Sequence, residues 1–169
     1  MISARLSYFK YIDRGRKGTV ALIPGWATDY RIFDSLDLDF NYLVPLDFLP
    51  FDFEEALLGA VKSANIGKVS LFGWSLGGFQ AAAFASKHKD LVDRLVLVSI
   101  RKAYPSEELT KIEDRLKTNR KGYLYKFYSS CLPEKDEFAR FKSTLLRYYC
   151  QKMDLDYLLK TLDYFNTLL

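Results

Sequence analysis

The stretch that most constrains the fold runs from Leu71 to Gly78 and reads Leu-Phe-Gly-Trp-Ser-Leu-Gly-Gly. An apolar run typical of a buried strand precedes the serine, and a run of small residues typical of a helix follows it. Gly-x-Ser-x-Gly between a strand and a helix is the pattern of a nucleophile elbow, a strained turn that presents the serine hydroxyl above the sheet. We therefore interpret Ser75 as a candidate nucleophile. The alternative is a tight glycine-rich turn with an incidental serine.

A second segment points to the same chemistry. The strand-like run Thr19–Ile23 stops at Pro24-Gly25-Trp26-Ala27. An oxyanion hole beside such an elbow takes one N–H from the residue after the nucleophile and another from the loop after an earlier strand. Leu76 would supply the first N–H and Trp26 the second. The alternative for this loop is an ordinary turn with an aromatic plug.

The pairing of Gly25-Trp26 with Gly73-Trp74-Ser75-Leu76-Gly77-Gly78 resembles a family of α/β-hydrolase carboxylesterases. These are the pimeloyl–acyl-carrier-protein methyl ester esterases of biotin synthesis, of the BioH type and its shorter BioV-like relatives. Residues 44–50 resemble the strand and turn that follow the oxyanion loop in that family, and residues 91–99 resemble the strand after the nucleophile helix. The likeness covers residues 19–100, whereas the helical remainder matches in character alone, as a lid.

The resemblance implies a cytoplasmic serine carboxylesterase that hydrolyses the methyl ester of a dicarboxylic acyl chain bound to an acyl carrier protein. Ser75 would attack the ester carbonyl, and the backbone N–H groups of Trp26 and Leu76 would hold the oxyanion. The side chains of Trp26 and Trp74 would shape the acyl pocket. No metal or cofactor is implied.

The general base is the weak point of this interpretation. In this fold the triad runs in the order Ser, Asp or Glu, His, and the chain has one histidine, His88. At about 1.5 Å per helical residue His88 would lie roughly 20 Å from Ser75, whereas proton transfer needs about 2.6–3.2 Å or one bridging water. We expect His88 to be a solvated helix-end residue. Asp47 is more typical of a structural turn, and residues 99–102 offer no acid.

Several explanations for the missing base stay open. One explanation is a truncated or prematurely terminated hydrolase, which ends before the last strands that normally carry the Asp and His of the triad. Another is a shortened relative that uses another base. A different class of function is a non-catalytic module that binds an acyl chain or its carrier. A site completed by a second chain is a further alternative.

Alternating strand and helix patterns predict an α/β-hydrolase-like parallel sheet, short or partial, with a C-terminal all-helical lid. We place the core with its nucleophile elbow at residues 1–104 and the lid at residues 105–169. An aromatic-rich extended segment, Leu6–Ile12, comes first. The predicted strands are Thr19–Ile23, Leu43–Leu46, Lys68–Phe72 and Arg94–Ser99, and the predicted helices of the core are Tyr30–Ser35, Phe53–Ala64 and Leu76–His88.

After Pro105 the apolar residues follow four successive helical faces, beginning with Leu109, Leu124, Phe138 and Leu155. Ser106 and Asp154 are the expected N-caps of two of these helices. Helices in this position resemble the lid of an α/β-hydrolase. The alternative is a helical half that simply packs on the sheet.

The helical half is rich in basic residues. Acyl carrier proteins are acidic, and in the resembling esterases basic lid residues receive the carrier. Charge complementarity of this kind mainly accelerates encounter and sets specificity. We assign the carrier-binding role to Arg115, Arg120 and Arg140; the alternative is a solvated helix face. The basic residues that suggest a docking surface are Lys111, Arg115, Lys117, Arg120, Lys121, Lys126, Arg140, Lys142, Arg147 and Lys152.

Composition excludes several classes of function. A chain of 169 residues with 49% hydrophobic residues suits one domain with a real core, and a net charge of +4 is too small to indicate a nucleic-acid partner. Cys131 and Cys150 lack zinc-ligand company and are expected to be free buried thiols. The N-terminus lacks a signal-peptide apolar region and no apolar run approaches about 18 residues, so we expect a cytoplasmic protein with no membrane span. No pattern determines the oligomeric state.

Overall fold

The computed structural model describes residues 2–6, 8–46, 52–132 and 134–168. The chain divides into two compact units, Met1–Arg101 and Lys102–Leu169. In the described residues the first unit combines strands and helices, whereas the second consists of helices.

The first unit is built on a six-stranded sheet. The strands are β1 (Ile2–Leu6), β2 (Phe9–Asp13), β3 (Thr19–Ile23), β4 (Asn41–Pro45), β5 (Val69–Trp74) and β6 (Val92–Val98). Their order in the sheet is β1-β2-β4-β3-β5-β6. Four neighbouring strands, β4, β3, β5 and β6, are parallel, which confirms the predicted α/β class.

The predicted extended segment Leu6–Ile12 is not one strand. The chain turns at Tyr8, and β1 and β2 form an antiparallel hairpin whose second strand also runs antiparallel to β4. The sheet is therefore mixed, because a short connection can join antiparallel strands but not parallel ones. Composition alone signalled extended backbone here but not the turn within it.

Two α-helices pack on the sheet of the first unit. Helix α1 (Phe53–Ser63) packs on β2, and α2 (Leu76–Lys87) packs on β3, β5 and β6. These two helices end one residue earlier than predicted. The predicted helix at Tyr30–Ser35 is a single 3₁₀ turn, Tyr30–Phe33, because Asp29 accepts from the Arg31 N–H and starts a turn that Asp34 ends.

Period-two alternation divides the strand side chains between the two faces. One face carries a cluster centred on Val20, Leu22 and Val44, which packs against Phe33 from the 3₁₀ turn. Phe33 meets Phe72 of β5 edge to face, with the ring centroids 5.8 Å apart. The central strands of the sheet are thus buried, since every residue of β3 and β4 is buried.

Arg14 and Tyr42 hold the long connection between β3 and β4. The Arg14 guanidinium donates to the carbonyls of Leu38 and Phe40 and stacks 4.5 Å from the centroid of the Tyr42 ring. The Tyr42 hydroxyl in turn accepts from the Leu38 N–H at 2.7 Å. These contacts satisfy backbone groups of Leu38 and Phe40, in the part of the connection that follows the 3₁₀ turn.

The second unit contains four α-helices in its described residues. The first two predicted helical faces belong to one helix, α3, which is kinked at Asn119 (φ −153°, ψ 79°). None of the described helices is long and apolar enough to cross a membrane. The helices are α3 (Ser106–Cys131), α4 (Lys135–Phe141), α5 (Arg147–Lys152) and α6 (Leu155–Asp163); a π-helical segment, Lys142–Leu146, joins α4 to α5, and a 3₁₀ turn, Tyr164–Leu168, follows α6.

Aromatic rings form the centre of the second unit. Tyr128 of α3 lies 5.1 Å from Phe141 and 5.7 Å from Tyr149, measured between ring centroids. All three side chains are buried, and aromatic pairs at such distances contribute beyond their buried area. Helices with little internal stability are therefore held by tertiary contacts.

The two predicted N-caps have different outcomes. Asp154 caps α6, and its carboxylate accepts from the Tyr157 N–H at 2.8 Å, as predicted. Ser106 is wrong as a cap. It is the first residue of α3, behind Pro105, whose ring lacks a capping oxygen. Pro105, rather than Ser106, therefore has the extended backbone conformation of the residue before the helix.

We expect Asp154→Ala to lower the free energy of unfolding by about 1 kcal/mol, because the first-turn amide of Tyr157 loses its acceptor. Asp156→Ala is the matched control, since Asp156 lies in the same turn but makes an exposed ion pair with Lys160. That variant should lose no more than about 0.5 kcal/mol. Urea unfolding followed by circular dichroism measures both; equal losses would contradict the capping role.

Candidate active site

Ser75 occupies the turn between β5 and α2 with φ 53° and ψ −117°. A positive φ at a residue with a Cβ costs energy, and such conformations persist where the surroundings impose them. The Ser75 N–H donates to the carbonyl of Val98 in β6 at 2.8 Å, and its carbonyl accepts from the Gly78 N–H at 2.9 Å. The side chain is partly exposed. The turn is thus fixed from both sides by backbone hydrogen bonds.

Three glycines allow the strand, the turn and the helix to pack this closely. A Cβ on Gly73 would lie 2.5 Å from the carbonyl oxygen of Gly77, and one on Gly78 would lie 2.7 Å from the side chain of Ile100. A Cβ on Gly77 would lie 2.5 Å from the Pro24 carbonyl oxygen and nearer still to that of Ile23. The first turn of α2 therefore touches the backbone at the end of β3.

The loop after β3 lies directly against the elbow. A Cβ on Gly25 would lie 3.2 Å from the Ser75 Cβ and 3.2 Å from the Trp74 carbonyl oxygen. The Thr28 hydroxyl donates to the Gly25 carbonyl at 2.8 Å, and Ala27 has a positive φ of 59°. The structure therefore brings together the two segments that the sequence analysis paired, the elbow and the loop that holds Trp26.

The predicted oxyanion and pocket residues lie around Ser75. Leu76 is buried and begins α2, where the first amides of a helix have no acceptor within it. Trp26 is buried with 5% of its surface exposed. Trp74 is partly buried and packs against the Phe33 cluster on one face of the sheet. A role for either indole in an acyl pocket remains a prediction.

His88 lies at the other end of α2, as its C-cap residue. Its Nε2 lies 3.1 Å from Oε1 of Glu54 in α1, and its ring centroid is 4.6 Å from that of Phe84. The histidine is thus packed between two helices rather than freely solvated. The hydrogen bond from Lys87, followed by the contact with His88, lowers the pKa of Glu54. At about 1.5 Å per helical residue, His88 lies about 20 Å along α2 from Ser75.

Asp47, the acid that the sequence analysis considered, lies outside the described residues. Asp29 follows the oxyanion loop, where it pairs with Arg31 and caps the 3₁₀ turn. Ser99, directly after β6, has a positive φ of 52°, a feature near Ser75 that no sequence pattern signalled. No group of three or more metal-binding side chains occurs in the part of the chain that the structure describes.

The two thiols show no sign of reactivity. Burial raises the pKa of both Cys131 and Cys150 above the ordinary value. A thiol is nucleophilic as its thiolate, so the raised pKa disfavours the nucleophilic form of both side chains.

The three predicted carrier-binding arginines belong to the second unit. Arg115 in α3 and Arg140 in α4 are exposed. Arg120, just after the kink of α3, is half-buried and donates to the carbonyl of Cys150 at 3.4 Å. Arg115 also opposes the rise that burial causes in the pKa of Tyr123. Carrier binding by the three arginines remains a prediction.

The strained Ser75 lies at the carboxyl end of the parallel strand β5, and a loop from the neighbouring strand β3 packs against it. This arrangement is typical of the nucleophile elbow of α/β-hydrolases. The family model described as "alpha/beta hydrolase fold" matches residues 19–164. The chain belongs to the α/β-hydrolase family, and membership indicates hydrolase activity. No curated protein matches the chain.

Solved structures share this fold at low sequence identity. An esterase from Exiguobacterium antarcticum superposes with a TM-score of 0.72 at 13% identity, covering 93% of this chain and 69% of its own. A bromoperoxidase from Bacillus anthracis gives a TM-score of 0.72 at 14% identity, covering 97% and 73%. An enol-lactonase from Burkholderia xenovorans gives 0.66 at 16% identity, covering 98% and 73%. These structures have different activities, so the likeness establishes the fold alone.

We expect Gly77→Ala to destabilise the protein by about 1–3 kcal/mol, because its methyl group would overlap two backbone carbonyls that cannot rotate away. Gly59→Ala is the matched control. Gly59 lies in α1 with nothing within 4 Å of an added Cβ, so alanine should stabilise by about 0.5–1 kcal/mol. Thermal and urea unfolding measure both. A neutral Gly77→Ala variant would contradict the close packing.

Proposed function

We propose that the protein is a serine carboxylesterase whose substrate is the methyl ester of a dicarboxylic acyl chain carried by an acyl carrier protein. The observation that carries the proposal is the conformation of Ser75, with φ 53° and ψ −117°, at a turn packed against the Gly25 loop. Strain of this kind concentrates at functional sites. A structural turn at this position would favour glycine over serine.

The proposed chemistry uses Ser75 as the nucleophile. The Ser75 oxygen attacks the ester carbonyl, and its proton passes to a general base that stays unassigned, as the carbonyl oxygen becomes an oxyanion. The N–H groups of Leu76 and Trp26 stabilise that charge. Methanol leaves with the transferred proton, and water then cleaves the acyl-enzyme to release the free carboxylate and regenerate Ser75.

Charge on the second unit supports an acidic carrier as the partner. Eleven basic residues lie between Lys111 and Lys152, in α3, α4, α5 and the segment that joins α4 to α5. Ten of them are exposed, and Arg120 alone among them is half-buried. Exposed charge is screened over about 10 Å at 0.1 M salt, so its effect on a partner is expected mainly at low ionic strength. The ester specificity rests on the resemblance of residues 19–100 to the biotin-synthesis esterases.

A second candidate function is a binding module that keeps the hydrolase fold without turnover. The observation that favours it is the position of His88, which Glu54 and Phe84 hold at the far end of α2 from Ser75. Such a module would bind the acyl carrier without cleaving the ester. The two functions differ in turnover but share the elbow.

The first test is covalent labelling of the intact protein by a fluorophosphonate probe. We expect the probe to modify Ser75 and no other serine, since Ser75 is the described serine that lies in a strained turn beside the proposed oxyanion donors, Trp26 and Leu76. Ser75→Ala should abolish labelling. Peptide mass spectrometry identifies the modified residue; labelling that survives in the alanine variant contradicts the assignment.

His88→Ala is the control for the base. We expect its labelling rate and esterase rate to stay within about twofold of the unsubstituted protein, because a group roughly 20 Å away cannot take the Ser75 proton. A loss of several orders of magnitude would show that His88 is the base. Binding of the acyl carrier without labelling of Ser75 and without ester turnover would favour the binding module.

The second test separates the carrier from the pocket. We expect Arg115→Glu with Arg140→Glu to reduce kcat/KM for a carrier-bound ester about tenfold or more at 0.1 M salt, because both side chains are exposed and their charge reverses. Turnover of p-nitrophenyl acetate should change less than about twofold, since a small ester needs no docking surface. The carrier effect should shrink at 1 M salt, where the Debye length falls to about 3 Å.

Two further variants complete this comparison. Lys17→Glu with Lys68→Glu makes the same change in net charge on exposed lysines of the first unit and should leave the carrier rate unaffected. Arg120→Glu is measured separately, because it also loses its bond to the Cys150 carbonyl. Equal losses on both substrates would indicate a damaged helical unit, and equal effects of the two double variants would contradict a specific carrier surface.

A further inference from the structure

Left-handed backbone conformations gather at the carboxyl ends of three neighbouring strands. In the described part of the chain, positive φ at a residue with a Cβ occurs at Ala27 (59°), Asn65 (56°), Ser75 (53°) and Ser99 (52°). Ala27 lies in the loop after β3, Ser75 directly follows β5 and Ser99 directly follows β6. These strands are adjacent, in the order β3-β5-β6. Strained residues at one edge of a sheet are typical of functional sites, so Ser99 is a third strained position beside the elbow.

Asn65 shows what a left-handed residue does in a purely structural role. It follows the end of α1, where its N–H donates to the Lys62 carbonyl at 3.1 Å and the Ile66 N–H donates to the Val61 carbonyl at 3.0 Å. This pair of bonds is the Schellman motif that ends many helices. Ser99 ends a strand, so helix termination does not account for its conformation.

The residues on either side of Ser99 both contact the elbow. The Val98 carbonyl accepts from the Ser75 N–H at 2.8 Å. Ile100 lies against the first turn of α2, where a Cβ on Gly78 would be 2.7 Å from its Cγ2 atom. Ser99 therefore joins a hydrogen bond to the serine turn with a side-chain contact to the helix that begins there. Both contacts are made towards β5 and α2, so neither depends on the outer edge of β6.

We propose that Ser99 is a positioning residue for Ser75, which acts through its left-handed backbone and not through its hydroxyl. An extended residue at this position would continue the direction of β6. A left-handed residue turns the chain, which allows the Val98 carbonyl and the Ile100 side chain to contact the elbow together. The catalytic consequence rests on the proposed function, in which Ser75 is the nucleophile.

The position of the turn matters because the elbow is itself strained. Ser75 keeps its φ of 53° only while surrounding contacts impose it, and the Val98 carbonyl is the contact from β6. If the turn at Ser99 relaxes, the serine oxygen moves relative to the amides of Leu76 and Trp26. A displacement of about 1 Å can slow a reaction about 100-fold. A change at Ser99 should therefore alter the reactivity of Ser75.

The first experiment separates the backbone of Ser99 from its hydroxyl. Ser99→Gly removes the hydroxyl but adopts positive φ readily, whereas Ser99→Thr keeps a hydroxyl and, being β-branched, resists positive φ. We expect fluorophosphonate labelling of Ser75 to stay within about twofold in Ser99→Gly and to slow about tenfold or more in Ser99→Thr. With p-nitrophenyl acetate, the loss in Ser99→Thr should fall on kcat and leave KM within about twofold, because no substrate contact is removed.

Asn65→Thr is the matched control. It places the same β-branched residue at nearly the same φ, at the end of α1. It should lower the urea midpoint as Ser99→Thr does, but labelling of Ser75 should stay within about twofold of the unsubstituted rate. Ile100→Ala is a second variant that strains no turn. It removes the side chain that lies against Gly78 and should slow labelling about threefold or more.

The second experiment measures the geometry without any reaction at Ser75. Native-state hydrogen exchange gives the protection of the Ser75 N–H, which donates to the Val98 carbonyl. The reference is the amide of Leu22, a fully buried residue of β3 that reports opening of the core. We expect the ratio of the two protection factors to fall about tenfold or more in Ser99→Thr and to stay within about threefold in Ser99→Gly and Asn65→Thr.

Slower labelling and weaker Ser75 protection in Ser99→Thr, with both retained in Ser99→Gly and Asn65→Thr, support the positioning role. Retained labelling in Ser99→Thr with a loss in Ser99→Gly would assign the role to the hydroxyl and overturn the inference. Equal effects of Ser99→Thr and Asn65→Thr would overturn it as well, because they would reflect general destabilisation.

Two further outcomes are also decisive. If the probe does not label Ser75 even in the unsubstituted protein, the proposed function fails, and the exchange ratio by itself supports or overturns the placement of Ser75 by Ser99. If Ser99→Thr does not fold, Ile100→Ala decides: slower labelling and a lower exchange ratio support the inference, and unchanged values overturn it.

Discussion

Close packing between the first turn of α2 and the end of β3 fixes the geometry of the whole elbow. The contact joins backbone to backbone, because Gly77 sets no Cβ between the helix and the carbonyls of Ile23 and Pro24. The helix start, the serine turn and the loop after β3 therefore move as one body. Val98 anchors the same turn from the opposite side. A site that must aim an oxygen and two amides at one point needs this rigidity.

Local patterns were sufficient to predict this part of the molecule. The run from Leu71 to Gly78 predicted a strand, a strained turn and a helix, and β3 coincides with the predicted Thr19–Ile23. Here the apolar periodicity, the glycines and the turn agree with one another, and such agreement makes a segment predictable. The strain at Ser75 and the approach of Gly25 both follow from the same motif.

Features that depend on tertiary contacts were not predictable in the same way. The N-terminal extended segment gave no sign of the turn at Tyr8, because pairing with β4 determines where the strands lie. His88 was placed at the correct helix end, but its packing against Glu54 comes from a residue 34 positions earlier in the chain. The general base stays unassigned, because the single histidine, His88, lies at the opposite end of α2 from Ser75.

The kink at Asn119 divides one long helix into two helical dipoles. Its side-chain oxygen accepts from the Gly122 N–H at 2.9 Å, so the second half of α3 has a capped start of its own. Lys117 then lies at the carbonyl end of the first half, where positive charge is favourable, whereas Arg120 lies at the amide end of the second half, where it is unfavourable. The guanidinium of Arg120 reaches instead to the Cys150 carbonyl, one of the last carbonyls of α5, where the dipole is negative. Because of the break in α3, the guanidinium of Arg120 therefore binds the C-terminal end of α5 within the same unit.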